Sequence, residues 1–306
     1  MKSILLSLIL LSMAATLPAQ SNSSPLFARL SEGDTTNLQA IQQAFAERNP
    51  GYSLDYWAGV EQVPAQAHQQ VVFLQEGETS IHLDSGEKSE VSVGDIVMLT
   101  AEVGFQADSA VSVLVFQVPD SPPENIPAVI RPDWDPNITD VPGGCATETG
   151  AYRRILLTWM DKVGPYLFHS INAHRVRIMD SFSHYHPVHG GFDEFYLVQM
   201  ALPEAGLLTS TQVPVIEQPD QVKKKQAKTL IQHQPLEVGD LIYLPRGVMH
   251  RGIGGVLAQV ITVPGFVPGS EIGVDHHLRK INERLKLSKR KALPYNEVAS
   301  DGPVIK

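Results

Sequence analysis

The chain is poor in cysteine, in basic charge and in long apolar runs, and each shortage removes a class of function. Cys145 is the only cysteine among 306 residues, so no intrachain disulfide can form. No catalytic pattern surrounds Gly144-Cys145-Ala146, which reads as a small packed residue rather than a nucleophile. Lys and Arg number 24 against 33 Asp and Glu, a net charge of -9; a nucleic-acid partner would normally be met by a basic domain, and none is expected here. Beyond the first residues no apolar stretch approaches the roughly 20 positions needed to cross a bilayer, so no membrane insertion is expected. What is present suits a packed β protein. Apolar residues make up 43%, which argues against global disorder. Pro (22) and Gly (23) are frequent enough to punctuate many short strands.

The N-terminus reads as an export signal. Lys2 is followed by an apolar run from Ile4 to Ala15, then by Leu17-Pro18-Ala19, with cleavage expected before Gln20. Residues 1–19 are therefore expected to be a signal peptide and the rest a secreted or periplasmic protein. Residues 20–33 read as a flexible lead-in. Asp34-Thr35-Thr36-Asn37 then supplies cap residues for a short amphipathic helix, with Leu38, Ile41 and Phe45 on one face, packed on the outside of the fold.

From Val71 the period changes. Val71-Val72-Phe73-Leu74, Ser80–Asp84, Ile96–Leu99 and Val111–Val118 read as short strands, broken by Ser85-Gly86 and Gly94-Asp95. A Pro-rich connection over 121–152 separates them from a second set: Arg154–Leu157, Val176–Met179, Glu194–Gln199, Asp240–Leu244 and Leu257–Val263. Short strands at this spacing predict an all-β architecture of barrels or sandwiches. The two sets overlay. Gly94-Asp95-Ile96-Val97-Met98-Leu99 matches Gly239-Asp240-Leu241-Ile242-Tyr243-Leu244, and Gln70–Gln75 matches Glu194–Gln199. The second unit carries an insert, placed in 201–228, which includes Lys223-Lys224-Lys225 and reads as a solvated loop. In this overlay Glu194 faces Gln70 and His250 faces Phe105. After Gly269 the chain turns basic. Leu278 to Lys291 holds seven Lys or Arg and one acid, with Leu278, Ile281 and Leu285 at helical spacing. A surface helix is expected, with contact to an anionic surface or a partner subunit as a second reading.

The chemistry gathers in Ser183-His184-Tyr185-His186-Pro187, Glu194 and Pro245-Arg246-Gly247-Val248-Met249-His250. On a strand, positions 184 and 186 project to the same side. Three imidazoles and one carboxylate suit one divalent transition metal ion: Fe, Mn, Zn, Ni or Cu. Four protein ligands leave positions open for a small-molecule substrate, as catalytic sites do. Arg246 and Arg251 flank His250 and are candidates to hold a substrate carboxylate. Tyr185 alternates away from the ligands; Tyr196 and Tyr243 are expected to fill the barrel. His169 and His174 receive no role, and His276-His277 is expected to face solvent.

His184-x-His186-Pro187, Asp193–Val198 and Gly239–Leu244-Pro245-x-Gly247-x-x-His250 together resemble the paired motifs of the cupin superfamily. The resemblance extends strongly over about 170–265 and weakly over 65–118, as in a bicupin. It implies two double-stranded β-helix (jelly-roll) barrels with short flanking helices, and metal ligands His184, His186, Glu194 and His250. The expected organisation is a signal peptide at 1–19 and an N-terminal arm with a short helix at 20–55. A degenerate cupin barrel follows at 56–120, a linker at 121–152, a metal-binding cupin barrel at 153–270 and a basic C-terminal helix or tail at 271–306. One spacing departs from the pattern: seven residues, Pro187 to Asp193, separate His186 from Glu194 where three or four are usual. Either the intervening loop is longer, or His189 replaces a ligand or acts as an acid/base beside the metal. Pro187 directly after His186 favours the longer loop.

A cupin barrel does not dictate a reaction. Three readings follow from the resemblance. The first is a metal-dependent dioxygenase or oxidase of a small phenolic or carboxylate compound. The second is a non-redox isomerase or lyase of sugars or uronic acids, in which a metal Lewis acid works with a proton-transfer group such as His189. The third is a non-catalytic metal- or ligand-binding cupin. A homodimer is compatible with all three.

Overall fold

Strict alternation along the strands sorts the apolar side chains into three layers. The computed structural model describes residues 24–143, 152–160 and 162–306; the expected signal peptide at 1–19 and Cys145 lie outside that range. The first half contains β1 (Leu26–Arg29), α1 (Thr35–Arg48), β2 (Ser53–Val63), β3 (Gln69–Glu76), β4 (Thr79–Leu83), β5 (Lys88–Val91), β6 (Ile96–Leu99), β7 (Phe105–Val118) and β8 (Val129–Ile130). The second contains β9 (Arg153–Leu157), β10 (Asn172–Asp180), β11 (His184–Tyr185), β12 (Asp193–Ala201), β13 (Gly206–Ser210), α2 (Val213–Ile216), α3 (Lys224–Ala227), β14 (Gln232–Pro235), β15 (Asp240–Leu244), β16 (Met249–Val263), β17 (Ile272–Gly273) and α4 (Asp275–Leu285).

The fold is two double-stranded β-helix barrels, one built on a seven-stranded and one on a ten-stranded sheet. Val72, Leu74, Val97, Leu99, Val113 and Val115 fill the first barrel. Tyr196, Val198, Ile242, Leu244, Ala258 and Val260 fill the second. The residues between them in sequence turn outward and meet across the two barrels: Val71, Phe73, Leu114 and Phe116 from one side, Phe195, Leu197, Leu241 and Tyr243 from the other. Period-two strands buried on both faces explain why these segments read as continuous apolar runs rather than as alternating ones.

The registers of the two barrels coincide. Gln70 pairs with Leu99 and Glu194 with Leu244; Val63 pairs with Phe105 and His184 with His250. The turns before β6 and β15 are also alike. Gly94 and Gly239 take left-handed φ of 101° and 88°. One residue later, Asp95 and Asp240 each accept the backbone N–H three residues back, at 2.8 Å from Ser92 and from Glu237.

Three expectations change. Residues 26–29 are not a loose lead-in: β1 pairs along the open edge of β15, from Leu26↔Tyr243 to Arg29↔Asp240, and Arg29 Nε donates to Asp240 at 2.9 Å. The linker likewise contributes β8 to the edge of β6, with Arg131 Nε donating to Asp95 at 3.1 Å. Each barrel thus receives an edge strand with an arginine at its end (Arg29) or directly after it (Arg131) on the turn aspartate, because an unpaired strand edge offers N–H and C=O groups that must find partners. Helix α1, capped by Asp34 accepting from Asn37 N–H, lies on the outside as expected, with Gln39, Gln43 and Glu47 exposed, and its Ile41/Phe45 face closes over the seam between the barrels. Phe45 is fully buried between the barrels, edge-to-face with Phe116, Phe195 and Tyr243 at centroid distances of 5.7, 5.1 and 6.0 Å. The 201–228 insert is ordered as β13, α2 and α3, and α4 buries Leu278, Ile281 and Leu285 as its spacing predicted.

Candidate metal centre

Three short stretches of strand place four ligand-type side chains inside the second barrel. β11 sets His184 directly opposite His250 of β16. β12 brings Glu194 alongside Thr262 of the same long β16 strand. His186 follows one pleat after His184 and faces the same way. The ligand-type atoms of His184, His186, Glu194 and His250 all lie within 4.8 Å of one another, and none of the four side chains is more than 2% exposed.

The hydrogen bonds define the tautomers. Nδ1 of His184 faces the Phe182 carbonyl at 3.1 Å, that of His186 the Phe192 carbonyl at 3.2 Å, and that of His250 the Val248 carbonyl at 3.3 Å. A carbonyl only accepts, so each Nδ1 carries the proton and each Nε2 presents a bare lone pair. Phe182 stacks on His184 and Phe192 packs on His186, with centroids 4.3 and 3.9 Å apart, which holds the rings. Inside, no donor among the described residues meets these lone pairs. Nε2 of all three histidines and Oε1 of Glu194 lack a hydrogen-bond partner. Glu194 Oε2 lies 3.2 Å from His186 Nε2 and 3.5 Å from His250 Nε2. Burial pushes the His184 and His186 imidazoles well below the usual histidine range, reinforced by the neighbouring His250. Neutral imidazoles and a carboxylate turned toward one point, with their remaining nitrogens fixed by backbone carbonyls, fit a divalent metal ion. Such an ion, when bound by these four side chains, supplies Lewis acidity or redox chemistry at the barrel interior.

The other singled-out residues are placed elsewhere. His189 lies exposed in the turn after Pro187, outside the buried group, so it is His186 that meets the other three. The loop from Pro187 to Asp193 is simply longer than in the first barrel, where Val63 and Gln70 stand seven apart against ten for His184 and Glu194. Gly191 lets this loop fold on itself, since a Cβ there would stand 2.3 Å from the Pro187 carbonyl oxygen. Arg246 does not reach toward the site. Its backbone N–H and Nε donate to Asp193 at 2.8 and 2.9 Å, and its Nη2 donates to the Arg48 carbonyl at 3.0 Å. Asp193 also accepts from Tyr243 and Asn49 at 2.6 and 2.7 Å. Adjacent on β12, Asp193 and Glu194 point to opposite faces, one to anchor α1 and one to the centre. Arg251 is committed to Asp180 at 2.6 Å, and Tyr185 donates to Glu217 at 2.6 Å outside the barrel. Tyr196 fills the interior at 6.2 Å from the His250 ring, whereas Tyr243 belongs to the inter-barrel layer. His276 and His277 are partly buried and face each other at 3.9 Å.

A cavity of about 260 Å³ opens onto Glu194, and its polar wall was not foreseen. Arg153, His174, Thr262, Glu271 and Lys306 line it together with Glu194. Ile155, Met160 and Phe266 give it an apolar side. His174 is buried with Nε2 unpartnered and is pushed down to about 3 by burial and by Arg153. Glu271 is pushed up to about 7, by burial first and by Glu194 second, against the opposing pull of Lys306 and Arg153. The backbone of Lys306 exchanges hydrogen bonds with that of Glu271 at 3.0 and 3.1 Å, which sets the C-terminal segment at the cavity's edge. A signal for His174 existed: it shares strand parity with Val176 and Ile178, both barrel-filling. None existed for Glu271 and Lys306, which come from irregular segments.

No protein-family model and no curated protein matches the chain. Similar solved structures include a salicylate 1,2-dioxygenase from Pseudoaminobacter salicylatoxidans, at 11% identity over 87% of this chain and 87% of that one, with a TM-score of 0.47. A Bacillus subtilis oxalate decarboxylase is similar at 11% identity over 79% of this chain and 74% of that one, with a TM-score of 0.45. A cupin 2 conserved barrel domain protein from Leptotrichia buccalis is similar at 13% identity over 70% and 85%, with a TM-score of 0.41.

Proposed function

We propose that this chain is an exported, metal-dependent cupin enzyme, a dioxygenase or oxidase of a small phenolic or carboxylate compound. In this reading its first barrel is a degenerate cupin that has kept the scaffold and lost the ligands. The observation that carries the enzymatic reading is the set of unpartnered Nε2 and Oε1 atoms facing one another beside a cavity of substrate size. A purely structural metal would not need that open side. The cavity's apolar flank suits an aromatic or aliphatic body, and Arg153 and Lys306 supply positive charge for an acidic group. In the first barrel the register equivalents of His184, Glu194 and His250 are Val63, Gln70 and Phe105. Val63 and Phe105 pack into the apolar interior, and Gln70 donates to the Pro64 carbonyl at 3.2 Å.

The test is metal analysis of protein purified from its native compartment, followed by oxygen uptake across phenols and small carboxylates. A redox-active metal near one per chain and uptake on one substrate class are expected. Stoichiometric zinc without uptake would overturn the oxidative reading. One observation favours a non-redox second reading, an isomerase or lyase: Glu271 and His174 are buried acid/base groups on the wall of the same cavity. Conversion of an unsaturated uronate without oxygen consumption would establish it instead.

A further inference from the structure

We infer that the cleft between α3 and the segment 286–294 is a second binding site, for a chain of acidic polysaccharide, and that it is separate from the metal centre. The cleft has a volume of about 910 Å³. Lys224, Lys225 and Lys228 stand on one side, and Lys286, Arg290 and Lys291 on the other; among the described residues no Asp or Glu lines it. All six cations are exposed. Among the described residues, the ion pairs near this end of the molecule engage Arg279 and Lys280 and none of the six.

In a chain of net charge -9 this concentration runs against the average. Six like charges around one concavity repel one another, and the repulsion is relieved by a ligand of opposite sign. The backbone contributes to the placement. Lys286 and Lys289 hold left-handed φ of 54° and 53°, a conformation that non-glycine residues adopt at a cost.

The floor selects among polyanions. Buried Ala227 and Leu293, with partly buried Ile231 and Leu287, form an apolar strip beneath the charges. A sugar chain bearing carboxylates presents apolar C–H faces together with regularly spaced single charges, and so matches both features. Polyphosphate has no apolar face. Among the described residues no Phe, Tyr or Trp lines the cleft to stack nucleobases. A flat anionic membrane does not enter a concave site. Lysines on flexible stems act as point charges and tolerate the loose register of a polymer, whereas fixed bidentate recognition would call for arginines.

The experiment uses the full, metal-loaded chain and fluorescently labelled polygalacturonate oligomers, read by anisotropy over a salt series. Binding is expected to weaken steeply with salt, as counterions released on contact are paid back. Lys224→Glu/Lys225→Glu/Lys228→Glu and, separately, Lys286→Glu/Arg290→Glu/Lys291→Glu should each weaken it by about tenfold or more. Both should leave metal content unchanged, and because all six side chains are exposed neither should unfold the protein. Ile231→Ser/Leu287→Ser should weaken the polygalacturonate complex. The proposal fails if the wild type does not bind, or if either reversed variant binds as the wild type does. It also fails if polyphosphate or single-stranded DNA binds as tightly as polygalacturonate, since the cleft would then be only an electrostatic patch.

Discussion

At the residue scale the centre is defined by which nitrogen each histidine turns inward. His186 is held with Nδ1 on the Phe192 carbonyl and Nε2 toward Glu194, whereas His189 faces solvent. His186→Ala should therefore lose metal while His189→Ala keeps the wild-type metal-to-chain ratio, as read by elemental analysis after gel filtration. The reverse pattern would mean that His189 of the long loop, not His186 directly after β11, supplies the ligand. A second residue-scale prediction concerns Asp95, whose carboxyl is pushed up to about 6 because burial outweighs the Ser92 N–H, Arg131 and Arg175. A group with a raised folded-state pKa stabilises fully below its unfolded value, near 4, and that stability is lost as pH rises through about 6. Relative to Asp95→Asn, the wild type should lose on the order of 2 kcal/mol between about pH 4 and about pH 7. Urea titrations at the two pH values measure this, and a pH-independent difference would show that the carboxyl is not shifted.

At the element scale the two edge strands and α1 do what neither barrel does alone. β1 belongs by sequence to the arm before the first barrel, yet it completes the second, while β8 completes the first. Neither strand is legible in the sequence, because each is too short to show a period and the partner edge that orders it is distant in the chain. Ile41 and Phe45 were legible as one helical face; that the face is enclosed by both barrels was not. Phe45→Ala should cost about 3–5 kcal/mol of unfolding free energy, from lost burial and the cavity left among four aromatic rings. A loss below about 1 kcal/mol in chemical denaturation would place the helix outside the core after all.

At the scale of the whole molecule the largest apolar cluster lies between the barrels rather than inside either. Polar contacts stitch the same seam. Gln75 donates to the Val198 carbonyl at 2.8 Å, Gln259 donates to the Gly94 carbonyl at 2.9 Å, and Arg175 packs against Gly94, which could carry no side chain there. Two barrels that share their main core should melt together, so calorimetry of the metal-loaded protein should give one transition. Two well-separated transitions would contradict a shared core. Chelation should lower the midpoint of that single transition, because an ion bound only by the folded state stabilises it by mass action.

The sequence by itself determined the all-β class, the duplicated Gly-Asp turns and the candidate ligands His184, His186, Glu194 and His250, with His189 open as an alternative. These are encoded locally: short apolar runs punctuated by turns, a turn that requires left-handed glycine, and ligand-type residues grouped in two short stretches, 184–194 and 245–250. The tertiary structure alone decided that Arg246 anchors α1 through Asp193, that His189 stays outside, and that Arg153, His174, Glu271 and Lys306 wall the cavity beside Glu194. It also brought α3 and the 286–294 segment together around one basic cleft. Each of these depends on contacts between residues far apart in the chain, and a barrel closes such contacts only when every strand has found its register.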